Sequence, residues 1–267
     1  MKPNDTVQPL LDCISDIKKW LSSNFLQLNE EKTEVIIFGP AGSRASLGNM
    51  VSKYFPSVSS HVRNLGFIID SDLGLVKQIN SVVKNSFYQL RLISRVKSAL
   101  SFKDLETIIH AFITSRLDYC NSLYDGLPQS SIARLQMVQN AAARILSSTR
   151  KFDHITPVLA SLHWLPVQFR IHFKILLFVF KALNGPAPSY ISDLVKLHAP
   201  IRSLRSADKL LLYTPRSRCV RTGDRAFTVA GPKLWNQLPI SIRQAPSLSV
   251  FKSRLKTHLY VLAFPTT

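Results

Sequence analysis

The chain has 267 residues, 46% of them hydrophobic and 19% charged, with 34 Lys and Arg against 16 Asp and Glu. At about 150 residues per domain the length suggests roughly two units, and this much apolar surface excludes a chain disordered throughout. The net charge of +18, with a pI of about 10.1, points to a polyanionic partner and says nothing of fold.

Cys13, Cys120 and Cys219 are too far apart for a Cys-x-x-Cys metal pair, and their odd number suggests free thiols in a reducing compartment. The most apolar run, residues 171–183, is too short to span a bilayer and carries Lys174 and Lys181, so no membrane partner is expected. Pro3, Asn4 and Asp5 interrupt what a secretory leader would keep apolar. An intracellular place is expected, nuclear or cytoplasmic. The charge is uneven: residues 1–60 are net neutral, 61–150 carry +5 and 151–267 carry +13. A neutral front and a basic rear suggest parts with different tasks.

Leu10, Ile14, Ile17 and Leu21 recur at helical steps and predict a helix with that stripe inward. Residues 24–32 are turn-prone. Val35 to Phe38, β-branched and aromatic and stopped by Gly39-Pro40, predict a buried strand. Residues 39–49, with three glycines and two serines, predict a loop, and Leu65 to Ile69 a second strand ending at Asp70-Ser71-Asp72. Beyond Gly74 the grammar is helical. Ile79, Val83, Phe87 and Leu90 form one stripe. Ser101 and Asp104 have the form of a capping box ahead of Leu105, Ile108, Ile109, Phe112 and Ile113. After Gly126-Leu127-Pro128 come Leu135, Val138, Ala142 and Ile145. Three one-sided stripes with short breaks predict a three-helix bundle. The next helix, Phe169 to Leu183, is apolar on most sides and should be buried until Asn184-Gly185-Pro186 ends it. Five prolines in residues 199–246 predict extended and looped chain, and Phe251, Leu255, Leu259 and Leu262 a last helix exposing Lys252, Arg254 and Lys256. The fold class expected is α+β, mostly helical.

No complete active site is apparent. The glycines at 39–42 lack the Gly-Lys-Ser/Thr ending of a phosphate loop, and neither a Gly-x-Ser-x-Gly elbow nor a His-Glu-x-x-His pair occurs. No two aspartates are adjacent. Asp70 and Asp72 read as turn-capping residues, Tyr124-Asp125-Gly126 as a turn, and His163-Trp164 as packing. The positive signal lies in residues 196–225, where eight basic residues face two acids. Six are arginines (Arg202, Arg205, Arg216, Arg218, Arg221 and Arg225), whose planar fork matches phosphate oxygens. Tyr213, Phe227 and Trp235 lie near enough in sequence to stack on unpaired bases.

The stretch from Trp20 to Gly39, with Asn29 and Lys32-Thr33 forming Asn-x-x-Lys-Thr, resembles the back part of a non-LTR (LINE-type) retrotransposon reverse transcriptase of the Jockey-related clades. Asn64-Leu65-Gly66 before Phe67-Ile68 resembles that family's primer-grip hairpin. Residues 161–167 (Ser-Leu-His-Trp-Leu-Pro-Val), Asn184-Gly185-x-Ala187-Pro188 and the run from Gly231 to Pro239 resemble its post-thumb region. The resemblance implies a palm remnant over 1–72 with a primer-grip-like hairpin at Leu65 and Gly66. It also implies a helical thumb over 73–150 and a basic carboxy-terminal region over 151–267. It places Asn29 and Lys32 near the nucleotide in the complete enzyme, which uses Mg²⁺ held by paired aspartates. By family order that pair is expected shortly before residue 1, so the chain as given implies no cofactor and no polymerase activity.

The expected function is nucleic-acid binding: the thumb tracks a duplex backbone with Lys84, Arg91, Arg95 and Lys97, and the arginines of the rear grip template RNA or target DNA, so that RNA and DNA backbones are the partners. Two alternatives stand beside it. One is an RNA-directed DNA polymerase whose catalytic palm is encoded upstream, and the other is the product of a decayed element with no selected role.

Overall fold

The computed structural model describes residues 7–55, 57–185, 187–198, 210–217, 219 and 222–265. These are mostly helical, with short strands in two separate pairs. The chain divides into a unit of residues 1–78 and a larger one of residues 79–267. Among the described residues no helix is long and apolar enough to cross a membrane.

The first unit opens with helix α1 (Gln8–Ser23), started by Pro9 in its first turn. Its inward residues are Leu11 and Ile14, packed against Val7, Val51 and Phe55. Leu10 and Ile17 are exposed instead, so the expected stripe is turned by about one residue. The reason is that Val7, just ahead of the helix, sets which side is anchored. A 3₁₀ turn (Glu30–Lys32) leads to β1 (Val35–Ile36). This strand is half-buried and two residues long, pairing in parallel with β2 (Val58–Ser59). Phe38, expected inside, is exposed.

Residues expected to loop form helix α2 (Ala41–Val51). Two internal glycines cost it about 1 kcal/mol each, but Pro40 presets its entry and Val51 closes it onto the small core. Tertiary burial outweighs propensity here. β3 (His61–Asn64) and β4 (Phe67–Asp70) form an antiparallel hairpin with Asn64 opposite Phe67. Leu65 and Gly66, expected in the strand, are its two turn residues, at φ 47° and 84°. Two positive φ values are what a type I′ hairpin turn requires.

Helix α3 (Val76–Val96) runs from the first unit into the second. Within the second unit, Ser101 caps α4 (Phe102–Ile109) by accepting from Asp104 N–H at 3.2 Å. The reciprocal half of the expected box is absent, because Asp104 takes the Ser101 hydroxyl at 2.6 Å. A wider π turn (His110–Thr114) then carries the chain into α5 (Ser115–Asp118). The extra residue in that turn shifts the phase, so the buried row is Leu105, Ile109, Ile113 and Leu117, and Phe112 swings out to solvent.

Helix α6 (Gln129–Ser147) follows Pro128 and buries Leu135, Val138 and Ala142 as expected. Beyond α7 (Thr156–Ser161), helix α8 (Val167–Leu183) is the centre of the unit. A single turn, α9 (Ser189–Ser192), precedes the proline-rich region. That region is not all loop: it contains α10 (Phe227–Asn236), with Pro232 inside it, and α11 (Ile240–Arg243). Burial of Val229, Ala230 and Trp235 outweighs the hydrogen bond that Pro232 removes. α12 (Leu248–Ala263), capped by Ser247, completes the core. Its Phe251 ring stacks on Phe180 at 4.2 Å and lies 5.8 Å from Trp235.

Candidate nucleic-acid interface

Helix α3 carries Lys77, Lys84, Arg91 and Arg95 and has no acidic residue in its 21 positions. Ile79, Val82, Ser86, Leu90 and Ile93 are buried and define the inward face. At 100° per residue, Lys84, Tyr88, Arg91 and Arg95 fall within about 60° of one another, opposite that buried row. All four are exposed. Lys84, Arg91 and Arg95 have no ion-pair partner among the described residues. Of these cations only Arg91 and Arg95 stand one turn apart, a like-charge spacing that disfavours a helix by a few tenths of a kcal/mol. From Lys84 to Arg95 it extends about 16 Å along the axis, at 1.5 Å per residue.

The other expected contacts divide. Lys97 gives its Nζ to Ser148 Oγ at 2.8 Å and is drawn away from the row. Arg216 is exposed, as is Tyr213. Arg202, Arg205, Arg218 and Arg221 lie outside the described residues. Arg225 is turned inward, with Nε 2.9 Å from the carbonyl of Asp125 and Nη2 3.1 Å from that of Leu123. Its guanidinium is therefore engaged with two backbone carbonyls, with which the expected phosphate contact would compete. Trp235 is likewise unavailable for stacking: it is fully buried and its Nε1 donates to the carbonyl of Leu210 at 2.8 Å. Phe227 packs on the same core.

In the first unit, Asn29 Oδ1 accepts from Lys32 N–H at 3.0 Å, and its carbonyl accepts from Thr33 Oγ1 at 2.7 Å. The Asn-x-x-Lys-Thr element is thus a self-capped turn with the Lys32 side chain in solvent. Leu65 and Gly66 stand at the hairpin tip, Leu65 with 87% of its surface exposed. Among the described residues, Asp70 and Asp72 do not fit a Mg²⁺ pair. Asp70 Oδ1 caps the backbone of Leu75 at 3.1 Å, and Asp72 is held by Arg44 at 2.6 Å. Among the described residues no group of three or more His, Cys, Asp or Glu could hold a metal ion.

No protein-family model, no curated protein and no solved structure matches the chain.

Two side-chain pairs of the second unit, one of them an ion pair, have no local signal in the sequence. Arg170 on α8 grips Asp118 with two donors, Nε at 2.8 Å and Nη2, and the pair lines a cavity of about 410 Å³ with His110, Lys174 and Lys256. His172 Nε2 lies 3.7 Å from Asp125 and 2.7 Å from the Gln168 amide. Burial pushes the Asp125 carboxyl up and the His172 imidazole down. The Gln168 amide can donate to Nε2 when the imidazole is neutral with its proton on Nδ1. The chain separation, 52 residues for Arg170 and Asp118, leaves no local sequence signal for such pairs. Tyr88 was also missed, although its spacing from Lys84 and Arg91 is a readable helical pattern.

Proposed function

We propose that this chain derives from the back part of a LINE-type reverse transcriptase and holds nucleic acid without extending it. The observation that carries the reading is the acid-free outer face of α3, where Lys84, Arg91 and Arg95 stand exposed and unpaired. A row of exposed, unpaired cations gains stabilisation when a polyanion lies along it. The helices within 73–150 would serve as the thumb of the family, residues 1–72 as its palm remnant and residues 151–267 as its basic carboxy-terminal region. The Asn-x-x-Lys-Thr turn and the Leu65-Gly66 hairpin tip support that assignment by their motifs.

Binding of this kind is phosphate neutralisation with little base readout. It should weaken steeply as salt rises, because each neutralised phosphate releases condensed counterions. The test is the affinity of the full chain for RNA and DNA at low and at moderate salt, by filter binding. Affinity that holds constant across that range would refute it. A primer-extension assay with Mg²⁺ should yield no product from the chain as given, since the phosphoryl-transfer step of the family needs paired aspartates.

A further inference from the structure

We infer that Tyr88 is a base-stacking platform, so that the outer face of α3 takes single-stranded nucleic acid, with phosphates on Lys84, Arg91 and Arg95 and an unpaired base on the phenol ring. This rests on the reading above and adds the substrate class to it. Tyr88 keeps 58% of its surface in solvent although it sits mid-helix. The cations stand on both sides of it along the axis, Lys84 one turn before, Arg91 and Arg95 one and two turns after. None of them covers its ring: the cation-over-ring contact among the described residues is that of Lys151 with Phe152. Leu92, also exposed, lies one turn beyond Tyr88 and extends the apolar spot.

A duplex would leave this arrangement half used. Its base faces are hidden in the stack, so an aromatic ring among its phosphate contacts has nothing to lie on. A single strand offers both parts, a charged backbone for the cations and an open base face for the ring, and such stacking tolerates any sequence because every base has a π face.

The experiment is fluorescence anisotropy with the full chain and a labelled oligonucleotide of about 20 nucleotides, long enough for a typical single-strand site. It is run single-stranded and as the matching duplex, over a series of salt concentrations. The single strand should bind more tightly. Tyr88→Ala should lower single-strand affinity on the order of tenfold, with duplex affinity and the salt slope unchanged, and Tyr88→Trp should restore it. Lys84→Ala should weaken both forms and reduce the slope. Because Tyr88 is exposed, the variant's melting curve should match that of the parent, which separates a binding effect from a folding one. Equal loss on both forms, or no loss on either, overturns the stacking role while leaving the cation row intact. Failure of the parent chain to bind either form sinks the strand-holding reading itself, and this inference with it.

Discussion

Arg225 Nε donates to the backbone carbonyl of Asp125 at 2.9 Å, one hundred residues back along the chain. A second bond from Nη2 to Leu123 makes the guanidinium a clasp between the start of α10 and the turn before α6. Arg225→Ala leaves both carbonyls without this donor and should lower stability by about 2 kcal/mol. The nucleic-acid salt slope should change little, because this guanidinium is already engaged with two carbonyls. Gly126→Ala attacks the same clasp from the other side. Its new Cβ would lie 2.6 Å from Arg225 Cγ at a backbone φ of +65°. Urea melts of both variants check the expectation.

Asn236 holds the segment around Leu212, which also bridges Leu197, with a paired amide contact. Its Oδ1 accepts from Leu212 N–H and its Nδ2 donates to Leu212 C=O, each at 2.9 Å. Leu212 is buried, so Asn236→Ala strands two backbone groups and should cost about 2 to 3 kcal/mol. Hydrogen exchange should show the loss first at the Leu212 amide, with the α8 amides affected only through the global drop.

Burial gives the second unit an acid-side weakness. His172 titrates below its ordinary 6.5 when folded, so on acidification the unfolded chain takes up the proton first. Stability from this group is present above that value and declines as pH falls through the window beneath it. His258 is lowered by burial in the same direction. Asp125 acts oppositely: it is raised above 3.8, so the folded form holds its proton longer, and stability falls as pH climbs through the window above 3.8. His172→Gln keeps a polar partner for Gln168 and should flatten, without abolishing, the drop in melting temperature from about pH 6.5 to 5. An unchanged drop would exclude His172 as its source.

The hairpin tip is strained and open to improvement. Leu65 adopts φ 47° with its side chain in solvent, a backbone region that costs a branched side chain about 1 kcal/mol or more. Leu65→Asn creates Asn-Gly, the preferred pair for this turn, and should raise amide protection across β3 and β4 severalfold by hydrogen exchange. Unchanged protection would mean that the turn does not limit opening of the hairpin.

Much of the helical half was legible because its signals are local. Pro128 before α6, the Ser101 cap and the all-round apolar α8 each act within a few residues of where they are written. Where the sequence misled, a distant contact decided. Gly42 and Gly48 read as a loop, yet Val51 carries their segment into a core with Val7 and Phe55 as a helix. Pro232 argued against α10, whose Trp235 is fixed by Leu210 from 25 residues away. The π turn at His110–Thr114 adds one residue to a regular stripe, and no composition signal marks it. Of the candidate interface, the charge pattern singled out Lys84, Arg91 and Arg95, which stand exposed on α3, but it carries no sign that Arg225 donates to two carbonyls, because an arginine's partner is a matter of packing.

The central claim is that the outer face of α3 holds a nucleic-acid backbone through Lys84, Arg91 and Arg95. The measurement that reaches it most directly is the slope of log affinity against log salt for single-stranded DNA, in the parent chain and in the Lys84→Ala, Arg91→Ala, Arg95→Ala triple variant. At about 0.7 per phosphate neutralised on a single strand, the triple variant should lose about 2 from the magnitude of the slope and bind weakly. A parent-like slope in the folded triple variant would contradict the claim.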